Sequence, residues 1–218
     1  MAFNQSWSGF FLKGSDLTEP SEQSPSADQT PHLRLLLLTA RDVKAFNTAH
    51  KAARKANPQF RLDLTGIDLT GADLKRINLE RADFSGAAHL TRINFACADL
   101  RGSNFAGADL KWINFAGAYL KGSNFCGANL TRINFAGADL SWAELTKVNF
   151  AEVNLSWSNL RGSNLAGVDF AGGVDLTGAD LSLADLSGAK LTGAEFAGVK
   201  LNKWTKGLTA RQLGDITK

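Results

Sequence analysis

A leucine or phenylalanine recurs at every fifth residue between Leu64 and Leu201, and this period limits the available folds more than any other property of the chain. The run begins Leu64, Leu69, Leu74, Leu79, Phe84, skips one residue to resume at Leu90, continues unbroken to Phe170, and skips once more to resume at Leu176. The pattern comprises 28 units. Two positions ahead of the large side chain sits a small or β-branched one, as at Ala72, Ile77, Ala98, Ser103, Ile113 and Val148, with Asp or Asn usually between them. Such a period is neither the ~3.6 of a helix nor the ~2 of a strand. It fits a mixed unit. In a short extended piece alternate side chains face the same way, so the small residue and the Leu or Phe point inward while the Asp or Asn points out. The two remaining residues, often ending in Gly, turn a corner. One unit cannot bury its inward face alone, so the units must stack.

A longer period sets the number of sides. Residues 92–111 match residues 112–131 at 13 of 20 positions, with Ile at 93, 113 and 133 and Phe at 95, 115 and 135. Twenty residues are four units, so each coil is expected to have four sides. Phe and Leu alternate along 95–140, which places Phe on one pair of opposite walls and Leu on the other. At the ~4.8 Å spacing of neighbouring strands, seven coils would form a rod roughly 34 Å long.

The unit A-(D/N)-(L/F)-x-x, as in Ala98-Asp99-Leu100 and Ala138-Asp139-Leu140, resembles the pentapeptide-repeat family, and the resemblance covers residues 62–201. It implies an all-β solenoid, a right-handed quadrilateral β-helix of about seven four-sided coils. The hand comes from the resemblance; the period says nothing about it.

Solenoid ends expose core and unpaired backbone, so caps are expected. Thr39-Ala40-Arg41-Asp42 approximates a capping box, with Asp in place of Glu or Gln. Behind it Val43, Phe46, His50 and Ala53 share one helical face, Arg41, Lys44, Lys51, Arg54 and Lys55 lie on the other, and Asn57-Pro58 stops the helix. This stretch resembles the helical cap before the repeats of many bacterial relatives. Thr209-Ala210-Arg211-Gln212 is a second capping box and predicts a short C-terminal helix. The expected organisation is a mobile tail over 1–30, a helical cap over 31–60, the repeat β-helix over 61–203, and a cap helix over 204–218.

Catalytic chemistry is not encoded in any recognisable arrangement. His32, His50 and His89 are scattered without ligand spacing, and Cys97 and Cys126 fall at corners of different walls. The many Asp and Asn residues follow the repeat and read as a solvated or ladder-forming outer face. The chain is therefore expected to be non-enzymatic, with no catalytic, metal or cofactor site. Two cysteines make no disulfide framework, no apolar run reaches the ~18 residues of a membrane span, and no secretory signal is read at the N-terminus; these point to the cytoplasm.

The outer corners carry the more informative side chains. Counting by twenty stacks Arg92, Trp112 and Arg132 in one column and Arg101, Lys121 and Arg161 in another, with Ser141 in the gap. Trp142 and Trp157 occupy corner positions where most units have Gly. Outward tryptophans beside arginine are typical of protein-interaction hot spots and form cation–π pairs; the other reading is that they pack along the rod's exterior. These eight residues are the expected interaction surface, with another protein as partner. The cations are too few for a nucleic-acid footprint. The resemblance also implies a second reading, because some family members mimic B-form DNA and bind DNA gyrase, conferring fluoroquinolone resistance. Such mimicry needs strongly acidic walls. Residues 62–201 carry 12 basic and 15 acidic side chains, a net of only −3, which argues against a type II topoisomerase partner. A monomer is expected, with dimerisation through Leu208, Leu213 and Ile216 as the alternative.

Overall fold

The inward residues stack as their spacing requires. The computed structural model describes residues 42–87 and 89–209, and over that range Leu64, Leu79, Leu100, Phe115, Leu140, Leu160 and Leu181 are all fully buried. Neighbouring coils pair through isolated parallel bridges, one residue per wall, with no longer strand among the described residues. A wall is only three residues wide, so the extended piece ends at the corner before a ladder lengthens.

The pairs divide into four columns, or faces. The first runs Asp63, Asp83, Asn104, Asn124, Glu144, Asn164, Asp185, Lys206. The second includes Asp109, Asn129 and Asn149, and further along Asp169 and Lys190; the third runs from Asp73 through Asn94, Asn114 and Asn134 to Asn154. The fourth runs Asn78, Asp99, Tyr119, Asp139, Asn159, Asp180, Lys200. Successive pairs are 20 residues apart in the middle of the rod, as in Asn94 to Asn114, and 21 apart where an extra residue is accommodated, as in Asp83 to Asn104 and Asn154 to Asp175. Both skips in the five-residue pattern thus become a local lengthening of one coil. A third skip was not anticipated. Asp185 pairs with Lys206, 21 residues on, so pairing passes the expected end at residue 203, and Gly207 stands where the pattern would place Leu or Phe.

Aromatic stacking fills the centre. Phe84, Phe105 and Phe125 stack along the first face at 4.8 and 5.0 Å, and Phe95, Phe115 and Phe135 along the third at 5.5 and 5.2 Å. The two stacks meet edge to face across the axis, Phe115 lying 5.9 Å from Phe105 and 6.2 Å from Phe125. Offset stacks and edge contacts are the favoured aromatic geometries. Beyond residue 140 the first and third faces turn to Leu145, Leu165 and Leu155, and the second face supplies Phe150 and Phe170, stacked at 5.5 Å. The bulk moves to another wall and the axis stays filled.

The outward Asp and Asn residues have a second task besides laddering. Asn114 Nδ2 donates to Asn94 Oδ1 and Asn159 Nδ2 to Asp139 Oδ1, which are rungs between coils. In addition, Asp63, Asp83, Asn114, Asn134, Asp175 and their equivalents accept the N–H two residues ahead, closing each corner as an Asx turn.

Helix α1, Val43–Ala56, covers the N-terminal end. Its N-cap is Asp42, whose carboxylate accepts from the Lys44 and Ala45 N–H groups, so the expectation of a cap at Thr39 is corrected by three residues. Thr39 itself lies outside the described residues, as do the expected tail over 1–30, His32, Arg41 and the C-terminal stretch from Ala210 to Lys218, which holds all of the second capping box but Thr209. Phe46, His50 and Ala53 form the buried face of α1. Asn47 splices the helix onto the fourth face, its Nδ2 donating to Arg76 O (3.0 Å) while Oδ1 accepts the Asn78 N–H (2.6 Å). Arg54 pairs with Glu80.

Candidate interaction surface

The eight residues expected to form one surface fall on three corners. Arg92, Trp112 and Arg132 share the corner between the second and third faces, linked coil to coil by the hydrogen bonds from Arg92 N to Lys111 O and from Trp112 N to Thr131 O. Arg101, Lys121, Ser141 and Arg161 follow one another on the diagonally opposite corner, between the fourth and first faces, where Trp142 also sits. Trp157 stands alone on the corner between the third and fourth faces.

The two cationic columns are differently satisfied. Arg132 lies over the Trp112 ring at 4.5 Å and forms a two-pronged ion pair with Glu152, at 2.8 and 3.0 Å, one coil further on. That contact holds the Glu152 carboxyl below its ordinary range. Glu152 was missed from the sequence, although the count of twenty that aligned Trp112 with Arg132 reaches it in one more step. On the opposite corner Arg101 grips Asp99 at 2.6 Å and reaches Glu80 at 3.5 Å. Lys121 and Arg161, among the described residues, have no ion-pair partner.

The tryptophans are fixed by backbone as much as by packing. Trp112, Trp142 and Trp157 have φ of 65°, 61° and 59°, in the left-handed region where most equivalent positions carry Gly. A side chain costs ~1 kcal/mol or more there. The rings of Trp142 and Trp157 lie flat on the glycine of the next coil: a methyl group placed on Gly162 would meet Trp142 Cε3 at 2.7 Å, and one on Gly178 would meet Trp157 Cε3 at 2.5 Å. Their inner faces therefore pack along the rod, as one of the two readings expected, while 56% of Trp142 and 71% of Trp157 remain exposed.

Two exposed aromatics went unnoticed in the sequence. Tyr119 replaces the usual Asp or Asn at an outward position in the middle of the fourth face and is 55% exposed. Trp204, also exposed, follows the end of that face and carries Lys203 over its ring at 4.5 Å. With Trp142 and Trp157 on its two edges, the fourth face gathers most of the exposed aromatic surface; Trp112 is elsewhere. An aromatic in the Asp/Asn slot was the signal for Tyr119.

Other chemistry is sparse in this region. Cys97 and Cys126 are free thiols, His89 is exposed, and His50 is buried under α1. Among the described residues no group of three or more His, Cys, Asp or Glu side chains is placed to hold a metal ion, and no helix is long and apolar enough to cross a membrane.

The family model for pentapeptide repeats matches in 8 copies over residues 63–88, 87–118, 113–150, 149–173 and 172–203. The chain belongs to the pentapeptide-repeat family. Its walls, inward pairs and Asx-turn corners are the β-solenoid that these repeats build. No curated protein matches. Similar solved structures include trypsin-treated QnrB1, a plasmid-mediated fluoroquinolone resistance protein, 22% identical over 70% of this chain and 93% of that one with a TM-score of 0.41. A pentapeptide repeat protein from the Arabidopsis thaliana thylakoid lumen is 30% identical over 58% and 70%, TM-score 0.33. HetL, involved in heterocyst differentiation regulation in the cyanobacterium Nostoc sp. strain PCC 7120, is 23% identical over 70% and 93%, TM-score 0.21. None of these likenesses bears on which face of the present chain is used.

Proposed function

We propose that this pentapeptide-repeat protein is a non-enzymatic interaction module that docks a protein partner on its fourth face. Tyr119, Trp142 and Trp157 are the anchors, and Lys121 and Arg161 supply charge at the edge. The observation that carries this reading is the exposure of Trp142 and Trp157 at positive φ, on the two borders of a single flat face. Glycine would be less strained at both positions, so backbone stability does not account for the indoles. Rigid aromatics that lose little entropy on contact make strong anchors, and a handful of such residues carries most of the energy of an interface. Arg92, Trp112 and Arg132 belong to a separate corner and have a structural task in this reading. Arg101, held by Asp99 and Glu80, serves the fold as well.

The same reading takes the coil as right-handed with about seven turns, after its family, and closed by a helix in the C-terminal segment. It takes the protein as a cytoplasmic monomer, in keeping with two thiols left unpaired. A gyrase-directed DNA mimic would need acidic walls, and Lys121 and Arg161 stand unneutralised beside the aromatic face instead.

Affinity capture from the native host tests the proposal. Wild type should retain a partner that Tyr119→Ala, Trp142→Ala and Trp157→Ala each weaken by roughly tenfold or more, the usual scale for an anchor residue. Trp112→Ala should capture it normally. Equal capture by all four variants, or loss only with Trp112→Ala, would overturn the assignment of the face.

A further inference from the structure

The solenoid axis has no room for a further apolar segment, yet the chain carries one. Trp7, Phe10, Phe11 and Leu12 place four large apolar side chains within six residues, ahead of the first described residue. Stacked phenylalanines fill the axis, and at its near end Phe46, Leu62 and Leu64 are already buried. An apolar cluster without a place in the core gains by covering apolar surface elsewhere. Tyr119, Trp142 and Trp157 offer such surface on the fourth face and its two borders.

The N-terminal helix delivers the preceding chain to that same face. Asn47 of α1 accepts the Asn78 N–H, and Asn78 heads the fourth column. The N-cap Asp42 stands about 7 Å along the helix axis from Asn47. Trp142 and Trp157 border Asp139 and Asn159, the third and fourth pairings on from Asn78, about 14–19 Å away at the spacing of neighbouring strands. Between Leu12 and Asp42 lie 29 residues, whose average reach as a flexible chain is about 30 Å. Reach and span are of one size, the condition under which a tether raises local concentration most. Charge agrees with the geometry. Residues 13–30 carry four acidic side chains against one basic, opposite in sign to Lys121 and Arg161 at the edge of the face.

We propose that residues 7–12 dock in cis on the fourth face of their own chain, cover Trp142 and Trp157, and hold that face closed to its protein partner. Such docking presupposes the fourth face as the partner's surface, as read above. At an effective concentration of about 1 mM, a contact with a Kd of about 0.1 mM covers the face about nine-tenths of the time. A partner must then displace the segment, and whatever draws the segment away opens the face.

Hydroxyl-radical footprinting of the full chain, read residue by residue by mass spectrometry, tests this. Combining Trp7→Ser, Phe10→Ser and Phe11→Ser should speed oxidation of Trp142 and Trp157 by about tenfold, the inverse of the uncovered fraction. Trp112, on another corner, should oxidise at the same rate in both chains and so reports on the fold. Protection in wild type should not change with protein concentration, because a tether fixes the local concentration. The triple variant should also capture more host partner than wild type. Equal oxidation of Trp142 and Trp157 in the two chains overturns the proposal. If Trp142→Ala and Trp157→Ala still weaken capture in that case, the face stands and only the segment is removed from it. Protection that fades on dilution overturns cis docking in favour of a second copy. A rise at Trp112 matching that at Trp142 overturns it as general loosening, and capture no better than wild type overturns the occlusion.

Discussion

Two diagonally opposite corners of the solenoid carry the same kinds of residue and put them to different ends. Between the second and third faces, Arg132 is sandwiched by Trp112 on one coil and Glu152 on the next, and Lys111 meets Asp109 at 3.1 Å. Between the fourth and first faces, Trp142 lies on Gly162 with Lys121 and Arg161 uncompensated beside it. The first corner pairs Arg132 but leaves Arg92, among the described residues, without an ion-pair partner; the second pairs Arg101 but leaves Lys121 and Arg161 open beside an aromatic. A stack of like units makes this possible, because each corner column is one position of the repeat sampled every twenty residues and can be tuned apart from the core.

The largest effect comes from the core that both corners share. Phe115 is fully buried between Phe95 and Phe135 and touches the opposite stack through Phe105 and Phe125. Phe115→Asp should abolish cooperative unfolding near room temperature, since an unpaired buried carboxylate adds several kcal/mol to the ~3–5 kcal/mol lost with the ring. Circular dichroism on heating checks this. A variant that melted like wild type would mean that the inward assignment, and with it the division of the outside into corners, is wrong.

Acid separates the helical end from both corners. His50 is packed between Phe46 and Phe60, and neither ring nitrogen has a hydrogen-bond partner. Burial, helped by the Arg54 charge, lowers its pKa from 6.5 to about 4. The folded state therefore holds His50 neutral while the unfolded chain takes up a proton first. Stability is whole above pH ~6.5 and falls as pH drops toward ~4, by about 3 kcal/mol in all. Arg132 holds the Glu152 carboxyl below its ordinary range, so that pair leans the other way from His50, toward the charged form. Denaturant titrations at pH 7 and 4.5 should show the loss in wild type and a much smaller one in His50→Phe. An equal loss in both would place the acid sensitivity elsewhere.

How much of this was legible before the structure follows from what a period encodes. Spacing alone assigns inside and outside, because a coil that closes after four units leaves no choice of wall; hence Phe84, Phe105 and Phe125 in one stack and Phe95, Phe115 and Phe135 in the facing one. The corner columns were legible by the same count. Their energetics were not, since whether Arg132 points at Trp112, at Glu152 or at water depends on a side-chain rotamer. Tyr119 interrupts the Asp/Asn column plainly in the sequence, but the period assigns that slot only an outward direction, not a role. The third skip, near Asn202 to Thr205, left no trace because Gly207 occupies the slot that should have signalled it. Asp42 prevailed over Thr39 as N-cap because its carboxylate reaches two free N–H groups of the first turn.

A smaller effect tests whether the corner of Trp112 and Arg132 is held together by its charges. Arg132→Ala removes the cation from Trp112 and from Glu152, all of them solvent-exposed. Exposed pairs contribute little even when two-pronged, so the melting temperature should drop by no more than about 2–3 °C. Partner capture through the fourth face should be unchanged. A fall in capture would join the two corners into one surface.

The smallest effect is expected at Asp109→Asn, on the same corner. Asp109 departs from its column: Oδ2 meets Lys111, while Oδ1 is buried with no hydrogen-bond partner. Elsewhere the equivalent oxygen closes an Asx turn, as Asn129 does with Thr131. Replacing the carboxylate gives up a half-exposed ion pair and also removes negative charge from an unsatisfied buried oxygen. These oppose each other, and Asn already fills the next positions of the column at Asn129 and Asn149, so the net change should stay within ~0.5 kcal/mol by urea unfolding. A loss well above that would mean that ion pairs bind the coils of this corner to one another. The contrast with the opposite corner would then be one of stability, since Lys121 and Arg161 would mark a seam left weak rather than a surface left open.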